Sequence, residues 1–448
     1  MGKLPTVTII GRPNTGKSTL FNRMIGHRKA IVSDIPGTTR DQITSIIRTD
    51  TLDYLLVDTG GIGGGSKDHD LEDDVAKQSL LALSVSDLIL FTVNGQEDLT
   101  ASDFEIAKIL RTRKKKHVPI FIVITKCDNI ETLEESLPQF YALSIGDDFI
   151  PISAIHKHGT EELMEKIGKK LSELHFSRST SLLETPTTSP HVAILGKPNV
   201  GKSSIINALM SDPQRKWSAR ITSDIPGTTR DATDVIIHHH EKEYVFVDTA
   251  GLKQRTSIEG DIELFAHMRS IQALYRSDVG ILVLDASEPV SRQDKRIAQL
   301  IIEEGKGLIL LANKVDLLSE KTIGETVHAL QMALPFCTFA SILPCSAETR
   351  EGLLKIFPMI NDVFQNRLRH IPTHDLQQWY EVAIEKRSGT GLSRNKHVTQ
   401  AKGSPPTFVL FAKDPTKVRT SDLRFLENQL RLSFNFTGTP IRWITKQG

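Results

Sequence analysis

Short, nearly uninterrupted apolar runs recur along the amino-terminal part of the chain, at residues 7–10, 55–57, 88–93, 119–124 and 149–152, each of strand length. Segments of helical length, such as 18–24 and 71–83, lie between them. Near-continuous apolar strands separated by helices predict a mostly parallel sheet covered on both faces, a doubly wound α/β unit. Further along, 407–411 reads as a strand, 421–434 places Leu423, Leu426, Leu430 and Phe434 on one helical stripe, and 440–444 reads as a returning strand. That stripe reads as core rather than as a groove for a partner.

The pattern also repeats. VTIIGRPNTGKSTLFNRM from Val7 is answered by VAILGKPNVGKSSIINAL from Val192, and SDIPGTTRD at Ser33 recurs verbatim at Ser223. YLLVDTGG at Tyr54 returns as YVFVDTAG at Tyr244, ITKCD at Ile124 as ANKVD at Ala312, and PISA at Pro151 as PCSA at Pro344. Five blocks in one order mean a tandem duplication. The expected division is a first unit over 1–174, a linker rich in Ser, Thr and Pro over 175–190, a second unit over 191–365, and a tail domain over 366–448.

The chemistry lies in the repeated blocks. Gly11-Arg12-Pro13-Asn14-Thr15-Gly16-Lys17-Ser18 and Gly196-Lys197-Pro198-Asn199-Val200-Gly201-Lys202-Ser203 each fit GxxxxGK[ST] between a strand and a helix. Their glycines let backbone amides face an anion, and the helix amino terminus adds a favourable dipole. Lys17 and Lys202 are expected on the β and γ phosphates of a nucleotide, and the hydroxyls of Ser18 and Ser203 on Mg²⁺. Asp58-Thr59-Gly60-Gly61 and Asp248-Thr249-Ala250-Gly251 are read as ending apolar strands. There a carboxylate can hold the metal's water shell, while the amide of Gly61 or Gly251 senses the γ phosphate. Within SDIPGTTRD, Thr39 and Thr229 are assigned the hydroxyl that completes the metal shell only when three phosphates are bound, which makes the loop a switch.

Base choice falls to Thr125-Lys126-Cys127-Asp128 and Asn313-Lys314-Val315-Asp316. A carboxylate accepting two hydrogen bonds from guanine leaves adenine facing an unpaired charge, and such a site rejects the analogue by roughly 10⁴. Ser153-Ala154 and Ser346-Ala347 supply a small loop that can reach guanine O6. Thr125 replaces the expected Asn, so guanine specificity with altered affinity is expected in the first unit. Ile62 and Leu252 follow the two DxxG blocks, where many GTPases carry a glutamine that orients water. Hydrolysis should therefore be slow or use another device. The side-chain carbonyls of Asn14 and Asn199 can help bind a monovalent cation beside the phosphates, yet an Asn after Pro also makes a turn, and spacing alone leaves both readings open.

Together these blocks resemble the bacterial ribosome-assembly GTPase family Der, also called EngA, over essentially the whole chain. Two units in tandem followed by a small basic domain are specific to that family, and 425–442, FLENQLRLSFNFTGTPIR, resembles its KH-like domain. The resemblance implies two tandem doubly wound P-loop GTPase domains followed by a small α+β KH-like domain. It further implies GTP and GDP as ligands of both units, Mg²⁺ dependence, K⁺ activation through Asn14 and Asn199, and association with the large ribosomal subunit during its maturation, through its RNA backbone and proteins.

Charge supports a partner of that kind. Net charge is +1, but from Gln365 onward 14 Lys and Arg face 6 Asp and Glu, a net of +8, which leaves −7 for the rest. Such a basic domain suits nucleic acid or another anionic surface, and composition alone equally allows a solvated basic face. Gly389-Thr390-Gly391 is not a GxxG clamp, so the charge favours RNA backbone or inter-domain docking over sequence reading. The basic run 111–116, RTRKKK, reads as a solvated face. No apolar stretch is long enough to span a membrane, the first residues lack a signal pattern, and three cysteines, Cys127, Cys337 and Cys345, form no CxxC pair. A cytoplasmic monomer is expected. The leading expectation is a nucleotide-switched assembly factor for the large subunit; the alternative is one catalytic unit and one nucleotide-sensing scaffold. A role in transfer RNA modification or on membranes is disfavoured, since neither a second catalytic cysteine site nor a lipid-seeking helix is present.

Overall fold

The computed structural model describes residues 4–26, 44–49, 51–61, 79–80, 83–113, 118–128, 138–156, 158–176, 189–210, 234–249, 262–386 and 395–447. The chain divides into two compact units, Met1–Ser179 with Ser257–Met268, and Thr180–Thr256 with Arg269–Gly448.

In the first unit, strands β1 (Thr6–Ile10), β2 (Thr44–Ile47), β3 (Tyr54–Asp58), β4 (Leu88–Asn94), β5 (Ile120–Thr125) and β6 (Asp148–Pro151) form one sheet in the order β2-β3-β1-β4-β5-β6. Only β2 runs antiparallel to its neighbour. Every residue of β1, β3, β4 and β5 is buried, which is why those segments read as unbroken apolar runs. Alternate side chains serve two cores: Val7, Ile9 and Leu56 pack with Leu20 and Phe21 of helix α1 (Lys17–Gly26), while Ile10, Phe91 and Val93 pack with Ile106 and Leu110 of α2 (Ala101–Arg113). Each such buried side chain contributes about 1.5–3 kcal/mol. Helix α3 (Thr160–Glu173) adds Leu163, Ile167 and Leu171 to the first core.

The second unit repeats the arrangement. Strands β7 (His191–Leu195), β8 (Val235–His239), β9 (Lys242–Phe246), β10 (Val279–Asp285), β11 (Gly307–Asn313) and β12 (Ser341–Pro344) order as β12-β11-β10-β7-β9-β8, the first sheet read from its other edge. Helices α4 (Lys202–Leu209), α5 (Arg292–Glu303), α6 (Glu320–Ala333) and α7 (Ile356–Leu368) accompany it. Most of the expected helix 71–83 and of the linker 175–190 lies outside the described residues, as do 114–116 and 389–391. Of the basic run 111–116, the first three residues belong to α2, and the Arg111 guanidinium donates to the Leu143 carbonyl at 2.5 Å.

The tail domain comprises α8 (Thr373–Glu385), β13 (Asn395–Ala401), β14 (Thr407–Ala412), α9 (Thr420–Ser433) and β15 (Arg442–Gln447), with β14 central, antiparallel to β13 and parallel to β15. Leu426 and Leu430 are fully buried with Trp379, Tyr380, Phe408 and Trp443, and Leu423 and Phe434 pack at their margin, so the stripe is core. The returning strand begins at Arg442 rather than at Pro440, because proline has no amide to give a ladder; the first bond is from the Arg442 amide to the Pro406 carbonyl. This domain is seated on the second sheet. The Leu308 amide, at the start of β11, donates to the Gly438 carbonyl at 2.7 Å, and the Gly438 amide donates to Phe339 at 2.7 Å. Gly438 has φ +72, and a Cβ there would lie 2.2 Å from Val363 Cγ2, so this turn is confined to glycine.

Candidate nucleotide sites

In each unit the first strand of the repeat runs into a loop and then a helix at the carboxyl edge of the sheet, beside the point where strand order reverses. The first loop rises against β4: a Cβ on Gly11 would lie 2.3 Å from Thr92 Oγ1. Asn14 and Gly16 take φ of 66 and 81, which curl the chain so that it enters α1. Asn199 and Gly201 repeat this with φ of 64 and 98. Asn is among the few non-glycine residues that tolerate the left-handed region, so its turn-forming role is realised in both copies.

Lys17 Nζ donates to the carbonyls of Gly11 at 2.8 Å and Arg12 at 2.7 Å; Lys202 Nζ donates to Gly196 at 2.7 Å and Lys197 at 2.6 Å. Both amines therefore lie across their own loops. Burial lowers the pKa of Lys17, against the pull of Asp58, and lowers that of Lys202 to about 8. Ser18 Oγ donates to Asp58 Oδ2 at 2.8 Å, the Gly60 amide donates to Asp58 Oδ1 at 2.8 Å, and Thr59 Oγ1 ties the turn Thr59–Gly61 to Ile9 at 2.9 Å. Ser18 and Asp58 thus present adjacent hard oxygen donors, a set that suits Mg²⁺.

The second unit departs from expectation here. Its strand β9 stops at Phe246, and Asp248 lies two residues beyond with φ 53, so it does not end the strand as Asp58 does. Its amide donates to Asp234 Oδ1 at 3.0 Å, and Asp234 is ion-paired with Arg276. The Asp248 amide is thus taken by a side chain 14 positions away. Thr249 follows, buried, and Ser203 lies in the first turn of α4.

The blocks expected to read the base begin at the last residues of β5 and β11, Thr125 and Asn313. Asn313 Nδ2 donates to the Val200 carbonyl at 2.8 Å and its Oδ1 accepts the Ala347 amide at 2.9 Å, which joins the phosphate loop to the Ser346-Ala347 loop. Thr125 Oγ1 lies 2.7 Å from the matching Thr15 carbonyl and 3.0 Å from Val93 O. Lys126 and Lys314 both take a left-handed conformation, and Lys314 Nζ reaches Asp285 at 2.6 Å. Asp128 accepts from Ser153 Oγ at 2.7 Å and Gln96 Nε2 at 3.1 Å, and Ala154 continues that turn. Asp316 is solvent-exposed, Val315 is buried, and burial pushes the Cys127 thiol up to about 11. All three cysteines are free thiols.

Arg12 and Lys197, expected among the nucleotide contacts, turn their side chains to acids: Arg12 to Glu97 and Asp103, Lys197 to Glu288 and Asp294. Sequence reading missed these acids, although the two stand six residues apart in both copies. Thr39, Ile62, Thr229, Ala250, Gly251 and Leu252 lie outside the described residues.

A family model described as 50S ribosome-binding GTPase matches residues 6–126 and again 191–314, and one described as the KH-domain-like C-terminal region of EngA bacterial GTPase enzymes matches 370–446. GTPase Der of Lachnospira eligens is 38% identical over 449 residues, covering 99% of this chain and 98% of the relative. The chain belongs to the GTPase Der family. Der proteins of Geobacillus kaustophilus and Halalkalibacterium halodurans are likewise 38% identical, each covering 99% of both chains. As a Der-family member the chain hydrolyses GTP, and its two six-stranded sheets are tandem GTPase domains followed by the KH-like domain. Among the described residues, no helix is long and apolar enough to cross a membrane.

Proposed function

We propose that this GTPase binds the large ribosomal subunit and assists its maturation in the cytoplasm, with GTP state setting its affinity for precursor particles and hydrolysis releasing it. The observation that carries the reading is the family description, 50S ribosome-binding GTPase, matched twice and followed by a domain of net charge +8. That charge supports contact with RNA backbone, which is salt-dependent.

The proposed chemistry follows from the residues. Lys17 and Lys202 exchange their loop carbonyls for the β and γ phosphates, which meet amides of Asn14 to Ser18 and Asn199 to Ser203. Ser18, Asp58 and Thr39, and in the second unit Ser203, Asp248 and Thr229, would hold Mg²⁺, which supplies charge to neutralise the phosphate oxygens. Gly61 and Gly251 amides register the γ phosphate. Asp128 and Asp316 accept from guanine, and Ala154 and Ala347 lie toward its O6. With Ile62 and Leu252 unable to orient water, Asn14 and Asn199 would help hold K⁺, whose charge substitutes for a missing cationic side chain.

Co-sedimentation with large-subunit particles tests the switch, at two salt concentrations and with GTP, GDP or no nucleotide. Equal binding in all three states refutes it. The difference between Asp58, inside its strand, and Asp248, beyond its own, favours a second reading in which only one unit turns over. Lys17→Ala and Lys202→Ala separate the two: activity retained in just one variant supports the scaffold reading.

A further inference from the structure

The second residue of each phosphate loop pairs with the corresponding two acids in both units, although only Arg12 hydrogen-bonds the buried one. Arg12 Nε donates to Asp103 Oδ2 at 3.1 Å and the guanidinium also pairs with Glu97; Lys197 Nζ lies 2.5 Å from Glu288 and 4.0 Å from Asp294. Asp103 and Asp294 are 1% and 2% exposed. Each lies in the first turn of its helix and accepts from the residue just before that helix. Thr100 donates to Asp103 Oδ2 through its amide at 3.0 Å and its hydroxyl at 2.8 Å, and Ser291 donates to Asp294 Oδ2 at 2.9 and 2.7 Å. The other oxygen, Oδ1, is buried in both and meets no hydrogen-bond donor among the described residues. A carboxylate so buried is costly unless a cation accompanies it, and the loop's own basic side chain is that cation. The same residue turns its carbonyl inward to the catalytic lysine, Arg12 O to Lys17 and Lys197 O to Lys202. One residue therefore links a buried acid to the amine that meets the phosphates.

We propose that Asp103 and Asp294 are positioning residues for GTP, acting through Arg12 and Lys197 to set the loop in which the phosphates and the lysine sit. The inference rests on the assignment of these loops to GTP phosphates. It also reassigns the side chains of Arg12 and Lys197, from nucleotide contact to anchorage. The same acidic partners with Arg in one copy and Lys in the other, at 3.1 and 4.0 Å from the buried Asp, point to charge rather than the shape of the cation.

Because the loop grips ground state and transition state alike, loosening it should weaken binding more than chemistry. In a Lys17→Ala chain, where turnover reports the second unit, Asp294→Asn keeps an oxygen for Ser291 but removes the charge. It is expected to raise KM for GTP about tenfold with kcat within about twofold, a loss in the range of one charged hydrogen bond. Lys197→Met should match it, the double variant should be no worse than either single, and Lys197→Arg, the first unit's residue, should restore wild-type KM. Fluorescent GDP titration should give the same factor in Kd independently of turnover. A merely structural cap would lower the melting temperature and leave KM and Kd unchanged, and that result overturns the proposal. Failure of the site assignment is separate: it appears as GDP affinity indifferent to Lys202→Ala.

Discussion

The amide of Ala347 is held by Asn313 Oδ1 at 2.9 Å, and the same side chain holds the phosphate loop through the Val200 carbonyl. In the first unit Thr125 keeps only the second of these ties, toward Thr15, among the described residues. A hydroxyl carries one proton and stands on a shorter stem, so it cannot brace both loops.

Exchanging these residues should therefore shift affinity in opposite directions. Asn313→Thr, in a Lys17→Ala chain, is expected to weaken GDP binding by the second unit roughly fivefold; Thr125→Asn, in a Lys202→Ala chain, should tighten the first by a similar factor. Fluorescent nucleotide titration reads both. If neither affinity moves, the loop-to-loop brace has no part in holding the base.

Proton linkage offers a second check. Burial holds the Lys202 pKa at about 8, below the ordinary 10.5, so the free folded chain binds fewer protons than the unfolded one between those values and gains stability from this group as pH rises through that window. Bound phosphate favours the charged amine. Nucleotide binding to the second unit should thus take up about half a proton at pH 8 and almost none at pH 6.5. Calorimetry of a Lys17→Ala chain in buffers of different ionisation enthalpy measures this, and uptake that does not change between the two pH values contradicts it.

The two readings of Asn199 separate on glycine. With φ 64, Asn199→Gly keeps the loop shape without strain, whereas Asn199→Ala keeps the Cβ, whose left-handed conformation costs about 1–2 kcal/mol, and loses the polar side chain that offsets that cost. If the side-chain carbonyl binds the cation, hydrolysis by a Lys17→Ala chain, which reports the second unit, should be faster in K⁺ than in Na⁺, and equal in both salts once Asn199→Gly is added. Retention of the K⁺ preference by that variant would assign Asn199 to the turn alone.

Seating of the tail domain should depend on Gly438. Its positive φ and the 2.2 Å approach to Val363 make Gly438→Ala destabilising by about 2 kcal/mol, which lowers the melting temperature by roughly 4–8 °C. Hydrolysis by the first unit, measured in a Lys202→Ala chain, should not change. A melting temperature equal to the parent's would mean the turn relaxes freely.

Apolar periodicity alone located β1, β3, β4 and β5, because strands buried on both faces leave no polar positions to confuse the pattern. Duplication and the glycine-lysine loops were equally legible, since a phosphate-binding turn is a local backbone requirement written in consecutive residues. Tertiary packing decided what consecutive residues do not encode. Arg12 meets Asp103 across 91 positions, and the acid is buried only because α2 packs beside the phosphate loop. Asp248 lies beyond its strand although its block matches that of Asp58, and Asp234 takes its amide. The Gly438 turn likewise became meaningful only once the tail domain met the start of β11. Local backbone demands are carried by neighbours in the chain, whereas the partner of a buried charge or of an amide at a strand end is set by which distant elements the core brings together.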